Sequence, residues 1–65
     1  MNLRINDENR ESGAKDITGL LEELGIHPKS VLVEHNGTAL RREEWESTSI
    51  HDGDRLEIIR VVAGG

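Results

Sequence analysis

The run Asp52-Gly53-Asp54-Arg55-Leu56-Glu57-Ile58-Ile59-Arg60-Val61-Val62-Ala63-Gly64-Gly65 joins a turn, a strand and a bare glycine pair. Asp52-Gly53-Asp54 reads as a turn, and it lacks the spaced acids and distal Glu of a calcium loop. Arg55 to Val62 is the most β-prone segment of the chain. Its period-2 alternation puts Leu56 and Ile58 on one face and Glu57, Ile59 and Val61 on the other. Ala63, Gly64 and Gly65 follow as a flexible tail with almost no side-chain bulk to block entry to a narrow active site, and glycine accepts either sign of φ. At about 3.3–3.6 Å per extended residue, Val62 to Gly65 reach about 13 Å past the strand. The carboxylate of Gly65 is the expected reactive group. It is an anion near neutral pH and has no leaving group, so it becomes an electrophile only when another protein activates it.

A reactive tail gains from a rigid base that presents it in one direction, and the preceding residues supply one. Asn2 to Asn6 alternate, with Leu3 and Ile5 on one face, as in a half-buried strand. Asp7-Glu8-Asn9 reads as the turn into a weak, polar second strand over Arg10 to Gly13, a composition that discourages edge-to-edge aggregation. Asp16 is an N-cap candidate. Ile17, Leu20, Leu21 and Leu24 follow at i, i+3, i+4 and i+7, one apolar stripe of an amphipathic helix. Gly19 weakens that helix by about 1 kcal/mol against Ala and stands where a capping-box Glu would help. Gly25 and Pro28 end the helix. Val31 to His35 is the next strand, with Val31 and Val33 on one side and Leu32 and Glu34 on the other. Asn36-Gly37 is a turn, and Leu40 to Trp45 reads as an irregular segment with one helical turn. The expected fold class is α+β, a small mixed sheet of about four strands packed on one helix. The connection between the first and last strands includes that helix, so they lie adjacent and parallel at the centre of the sheet.

Composition narrows the functional classes. A chain of 65 residues with 34% hydrophobic and 32% charged residues makes one small domain with a spare core. The formal net charge of −5 and the single aromatic residue argue against nucleic acid, which needs a positive footprint and stacking platforms. No apolar run is long enough for a signal peptide or membrane span, so the expected compartment is the cytoplasm. The absence of cysteine removes disulfide, thiolate-metal and thiol-nucleophile chemistry. His27, His35 and His51 lack the spacing of a helical metal pair, and no metal is expected. Ser47, Ser49, His51 and Asp52 crowd one loop without the Gly-x-Ser-x-Gly elbow of a hydrolase. Trp45 is expected to plug the core under the irregular loop.

Asn36-Gly37, Arg41-Arg42-Glu43-Glu44-Trp45, Asp52-Gly53-Asp54-Arg55-Leu56-Glu57-Ile58 and Val61-Val62-Ala63-Gly64-Gly65 together resemble the thiamin-biosynthesis sulfur carriers of the ThiS family, over essentially the whole chain. The resemblance implies the ubiquitin-like β-grasp fold, with a domain over residues 1–62 and the tail over 63–65. It also implies a carrier rather than an enzyme. An adenylating, E1-like enzyme activates Gly65 with ATP, a sulfur donor such as a cysteine desulfurase system converts it to a thiocarboxylate, and thiazole synthase takes the sulfur into the thiazole of thiamin. No cofactor is expected on the chain itself, which has no phosphate-binding Gly-x-x-x-x-Gly-Lys-Ser/Thr loop. By ubiquitin-like precedent, Leu32, Ile59 and Val61 form the docking surface, with Glu34 and Glu57 as acidic neighbours that either steer a basic partner or are ordinary solvated charges. The chain departs from the family in two places. Arg41 stands where Pro is common, and Asp16 with Gly19 where Thr and Glu are usual. The small subunit of molybdopterin synthase and a ubiquitin-like modifier share the Gly-Gly tail and are the alternative readings, with a plain interaction domain as a further one.

Overall fold

Asn6 and Asp7 have φ values of 50° and 67°, and this pair sets the first hairpin of the computed structural model, which describes residues 1–61. A two-residue turn with both φ positive matches the right-handed twist of its flanking strands, and Asn and Asp tolerate that conformation better than other non-glycine residues. The turn therefore comes one residue earlier than the sequence reading put it. Strand β1 spans Asn2–Ile5 and β2 spans Glu8–Glu11 rather than 10–13, paired antiparallel from Ile5↔Glu8 to Asn2↔Glu11. All four β2 residues are exposed.

The helix α1, Ile17–Leu24, begins and ends as its sequence dictates. Asp16 Oδ1 accepts from the Gly19 amide at 2.8 Å. A Cβ on Gly19 would lie 3.3 Å from that same oxygen, so the glycine leaves the cap unobstructed. At the other end Gly25 turns left-handed at φ 71°. Its N–H donates to the Glu22 carbonyl and that of Ile26 to the Leu21 carbonyl, the paired bonds that terminate a helix around a left-handed residue. Ile17, Leu20 and Leu21 are buried, as the apolar stripe predicts.

A 3-10 turn at Pro28–Ser30 leads into β3, Val31–His35. Asn36-Gly37, with φ of 49° and 86°, then returns the chain as β4, Thr38–Leu40. This three-residue strand makes the sheet five-stranded instead of about four, because the strong turn signal at Asn36-Gly37 has a return strand too short to show alternation. A second 3-10 turn at Arg42–Glu44 precedes β5, Arg55–Arg60. Residues 62–65, which include the expected tail at 63–65 and the expected last strand residue Val62, lie outside the described residues. The strand order is β2-β1-β5-β3-β4. β5 pairs in parallel with β1 and antiparallel with β3, so the C-terminal strand is central, as expected.

The core lies between α1 and the inner face of the sheet, with Leu3, Ile5, Val31, Val33, Leu56 and Ile58 meeting the helix stripe. Trp45, 3% exposed, and Ile50 close it from the side of the irregular loop. Trp45 is the expected plug, and the Arg42 guanidinium stands 5.7 Å from its ring centroid. The loop is stitched to the helix entry by Ile50 N–H to Lys15 O at 3.1 Å and Ile17 N–H to Trp45 O at 3.3 Å. No helix among the described residues is long and apolar enough to cross a membrane.

Asp54 fastens the entry to β5. Its carboxylate accepts from His35 Nε2 at 2.8 Å, the His51 amide at 2.9 Å and Asn36 Nδ2 at 3.2 Å. Partial burial pushes its pKa up, but the bonds from His35, His51 and Asn36 outweigh that and hold the carboxyl below its ordinary value. A depressed folded-state pKa contributes stability that is present above the unfolded value and lost as pH falls through the folded one. Asp54→Asn is therefore expected to cost about 1–3 kcal/mol at pH 7, with the gap to wild type narrowing as pH falls below about 4. Denaturant melts of both proteins across that range check this.

Candidate functional site

Pleating puts the odd-numbered residues of β5 on the outer face of the sheet, away from α1, and with them the even-numbered residues of β3. Leu32 and Ile59 stand opposite one another across the β3–β5 ladder, at 58% and 42% exposure. Val61 continues that face at 46% exposure, and its N–H donates to the Ser30 carbonyl at 2.8 Å, carrying the ladder one residue past β5. The outer face thus holds an apolar patch at the end of the sheet from which the chain runs on toward Gly65. Gly65, Gly64 and Ala63 themselves lie outside the described residues.

Next to the patch, Glu34 and Glu57 form the neighbouring cross-strand pair, and beyond them Arg4 stands opposite Arg55. These four side chains line a shallow hollow of about 100 Å³. Like charges directly opposed across a sheet are destabilising, and the outer face carries two such pairs, one of each sign. The five expected docking residues, Leu32, Glu34, Glu57, Ile59 and Val61, are therefore brought together as one apolar and acidic strip along β3 and β5.

A wider groove of about 460 Å³ lies on the helix side, floored by Ile5 and Ile58 and flanked by Leu24, Ile26, Glu8 and Arg10. It brings together no nucleophile and base. Asp52 and Ser47 of the irregular loop are engaged in structural bonds. Asp52 Oδ1 accepts from the Asn2 amide at 2.6 Å, and Ser47 Oγ donates to the Glu44 carbonyl at 3.1 Å. The histidines are dispersed: His27 Nδ1 accepts from the Lys29 amide, and His35 is taken by Asp54. Among the described residues no three potential metal ligands gather.

Two residues that matter to β5 were read from sequence in other roles, Asn36 as a turn former and Asn6 as the last residue of the first strand. Asn36 Oδ1 accepts from the Arg55 amide at 2.8 Å, and Asn6 bonds to Ile58 through both ends of its side-chain amide. Neither reading could show the partners, which are 19 and 52 residues away.

With this geometry in place, residues 3–65 match the ThiS family. The chain belongs to the ThiS family. The sulfur carrier protein ThiS of Escherichia coli (strain K12) is 29% identical, with each chain covered in full. A ThiS crystal structure from Geobacter metallireducens superposes with a TM-score of 0.85 at 36% identity, again over the whole of both chains. The fold is therefore the family's β-grasp. A thiazole synthase of Paramagnetospirillum magneticum is 36% identical over the full chain, which spans 20% of that protein's length.

The Glu34–Glu57 pair gives this ThiS-family surface a measurable cost. Glu34→Lys turns it into an opposite-charge pair and is expected to raise stability by about 0.2–1 kcal/mol, a rise of a few degrees in Tm for a chain of this size. Thermal melts at low and high salt check this, and the gain shrinks as salt screens the pair.

Proposed function

We propose that the chain is a sulfur carrier for thiazole formation in thiamin biosynthesis, with the carboxylate of Gly65 as the reacting group. The observation that carries this reading is the central place of β5. The strand is held on both sides, ends beside an exposed apolar patch, and runs in the direction of the Gly-Gly pair within a family match that extends through residue 65.

In this cycle an E1-like enzyme binds ATP and adenylates Gly65, which supplies the leaving group that a carboxylate lacks. The terminal sulfur of a persulfide, from a donor such as a cysteine desulfurase system, then displaces AMP to form an acyl disulfide, and a partner's thiol cleaves the S–S bond, leaving the thiocarboxylate and a disulfide on the partner. Thiazole synthase accepts the sulfur and returns the carboxylate. The chain is a protein cosubstrate in all three steps and not an enzyme. ATP belongs to the partner, and the chain needs no cofactor of its own. The presence of a matching segment within a polypeptide named thiazole synthase supports that enzyme as the consumer. The cytoplasm is the compartment this reading assigns.

Docking to the activating enzyme falls to Leu32, Ile59 and Val61, whose exposed apolar surface ends at Val61, two residues before the expected tail in sequence. Glu34 and Glu57 favour a basic counterpart and speed encounter more than they tighten the complex.

Intact mass tests the chemistry directly. Incubation with ATP, the activating enzyme and a sulfur source is expected to add the difference between one sulfur and one oxygen, and trimming Gly65 is expected to abolish the gain. A mass that never changes while adenylation proceeds contradicts the carrier role. For the docking surface, Ile59→Asp is expected to leave the fold intact and to raise the KM for the carrier in adenylation about tenfold or more, from the apolar burial it forfeits. Pyrophosphate release measured against carrier concentration reads that value, and an unchanged KM removes the patch from the interface.

A further inference from the structure

β1 pairs with only Arg55 and Leu56 of the central strand before it turns away at Ile5. Asn6 takes over from there. Its main-chain N–H donates to the Leu56 carbonyl at 2.9 Å, its Oδ1 accepts from the Ile58 amide at 2.8 Å, and its Nδ2 donates to the Ile58 carbonyl at 3.2 Å. A side-chain amide that accepts from a residue's N–H and donates to the same residue's C=O does what a paired strand residue does. The left-handed backbone of Asn6, at φ 50°, belongs to the turn that lets the side chain lie along β5.

Asn36 is its counterpart in the second hairpin. It has φ 49°, its N–H donates to the Arg55 carbonyl at 2.8 Å, and its Oδ1 accepts from the Arg55 amide. The two asparagines grip the same strand at different points. Asn36 holds the first residue of β5, remote from the tail, whereas Asn6 holds the fourth, next to Ile59 and three residues before Val61.

We propose that Asn6 is a positioning residue for the chemistry at Gly65, one that acts through Ile58 to fix the direction in which the chain leaves the sheet. The inference rests on the carrier reading above. Without this grip the C-terminal half of β5 keeps its β3 partners but loses its bonds on the β1 side, and the direction in which the chain leaves the sheet at Val61 is held less firmly. The fraction of bound carriers in a reactive geometry then falls. Docking is spared, because Ile59 still faces Leu32 across β3. The loss therefore belongs in kcat and not in KM, the reverse of a patch variant.

Asn6→Gly isolates the effect, since glycine adopts the left-handed turn conformation without strain and only the side-chain amide is lost. Asn36→Gly is the matched control at the far end of the strand. Asn6→Gly is expected to speed amide exchange at Ile58 about tenfold or more, and to lower kcat for adenylation about fivefold or more with KM within about twofold. Asn36→Gly is expected to lower stability comparably and leave kcat within about twofold of wild type. An adenylated wild type with an Asn6→Gly variant whose kcat is unchanged, or falls no further than that of Asn36→Gly, overturns the inference alone. A wild-type chain that its activating enzyme does not adenylate overturns the carrier reading and this inference with it.

Discussion

Arg55 and Leu56 pair in parallel with Arg4 and Ile5, and parallel neighbours cannot be joined by a tight turn. The chain between them must therefore include a crossover over one face of the sheet, and α1 is the part of it that covers the core. Because β1 is also bonded to β2 on its far side and β5 to β3, closing this pair makes the last strand the central one. The Asp54 hub secures its entry and the hairpin asparagines hold it at two further points. The segment leading to the Gly-Gly pair is therefore among the most heavily bonded in a chain of only 65 residues.

That arrangement divides the sheet into two faces with different duties. The inner face is committed to packing, since a domain of this size has little apolar surface to spare, and Leu3, Leu20, Leu21 and Leu56 are nearly inaccessible. The outer face gives up stability. It leaves Leu32, Ile59 and Val61 in solvent and sets Glu34 against Glu57 and Arg4 against Arg55. A face selected for stability alone would have kept the large apolar side chains inside, and the docking role proposed for this face accounts for their exposure.

Much of this was legible in the sequence because the signals were local. The Asp16 cap, the Ile17-Leu20-Leu21-Leu24 stripe and Gly25 fall within one helix and fix it. The alternation over Arg55 to Val61 assigned both faces of β5 and hence the residues of its outer strip. The first hairpin was displaced because the alternation was read through Asn6, which put the turn at Asp7-Glu8-Asn9, whereas Asn6 and Asp7 both take positive φ. β4 was missed because three residues cannot display a period. The grip of Asn6 on Ile58 leaves no local trace, since its partner is 52 residues away. The same holds for the isolated bridge between Asp16 and Ser49 that ties the loop to the helix entry.

The central claim is that the outer face of β3 and β5 meets the partner while the helix face serves the fold. Nuclear magnetic resonance of the isotope-labelled chain, titrated with its activating enzyme in the absence of ATP, tests this residue by residue. The account predicts perturbed or broadened signals at Leu32, Glu34, Glu57, Ile59 and Val61, with the exposed residues of α1, such as Glu22, unchanged. Perturbations centred on α1 and the β2 edge, with Leu32 and Ile59 unmoved, would contradict it.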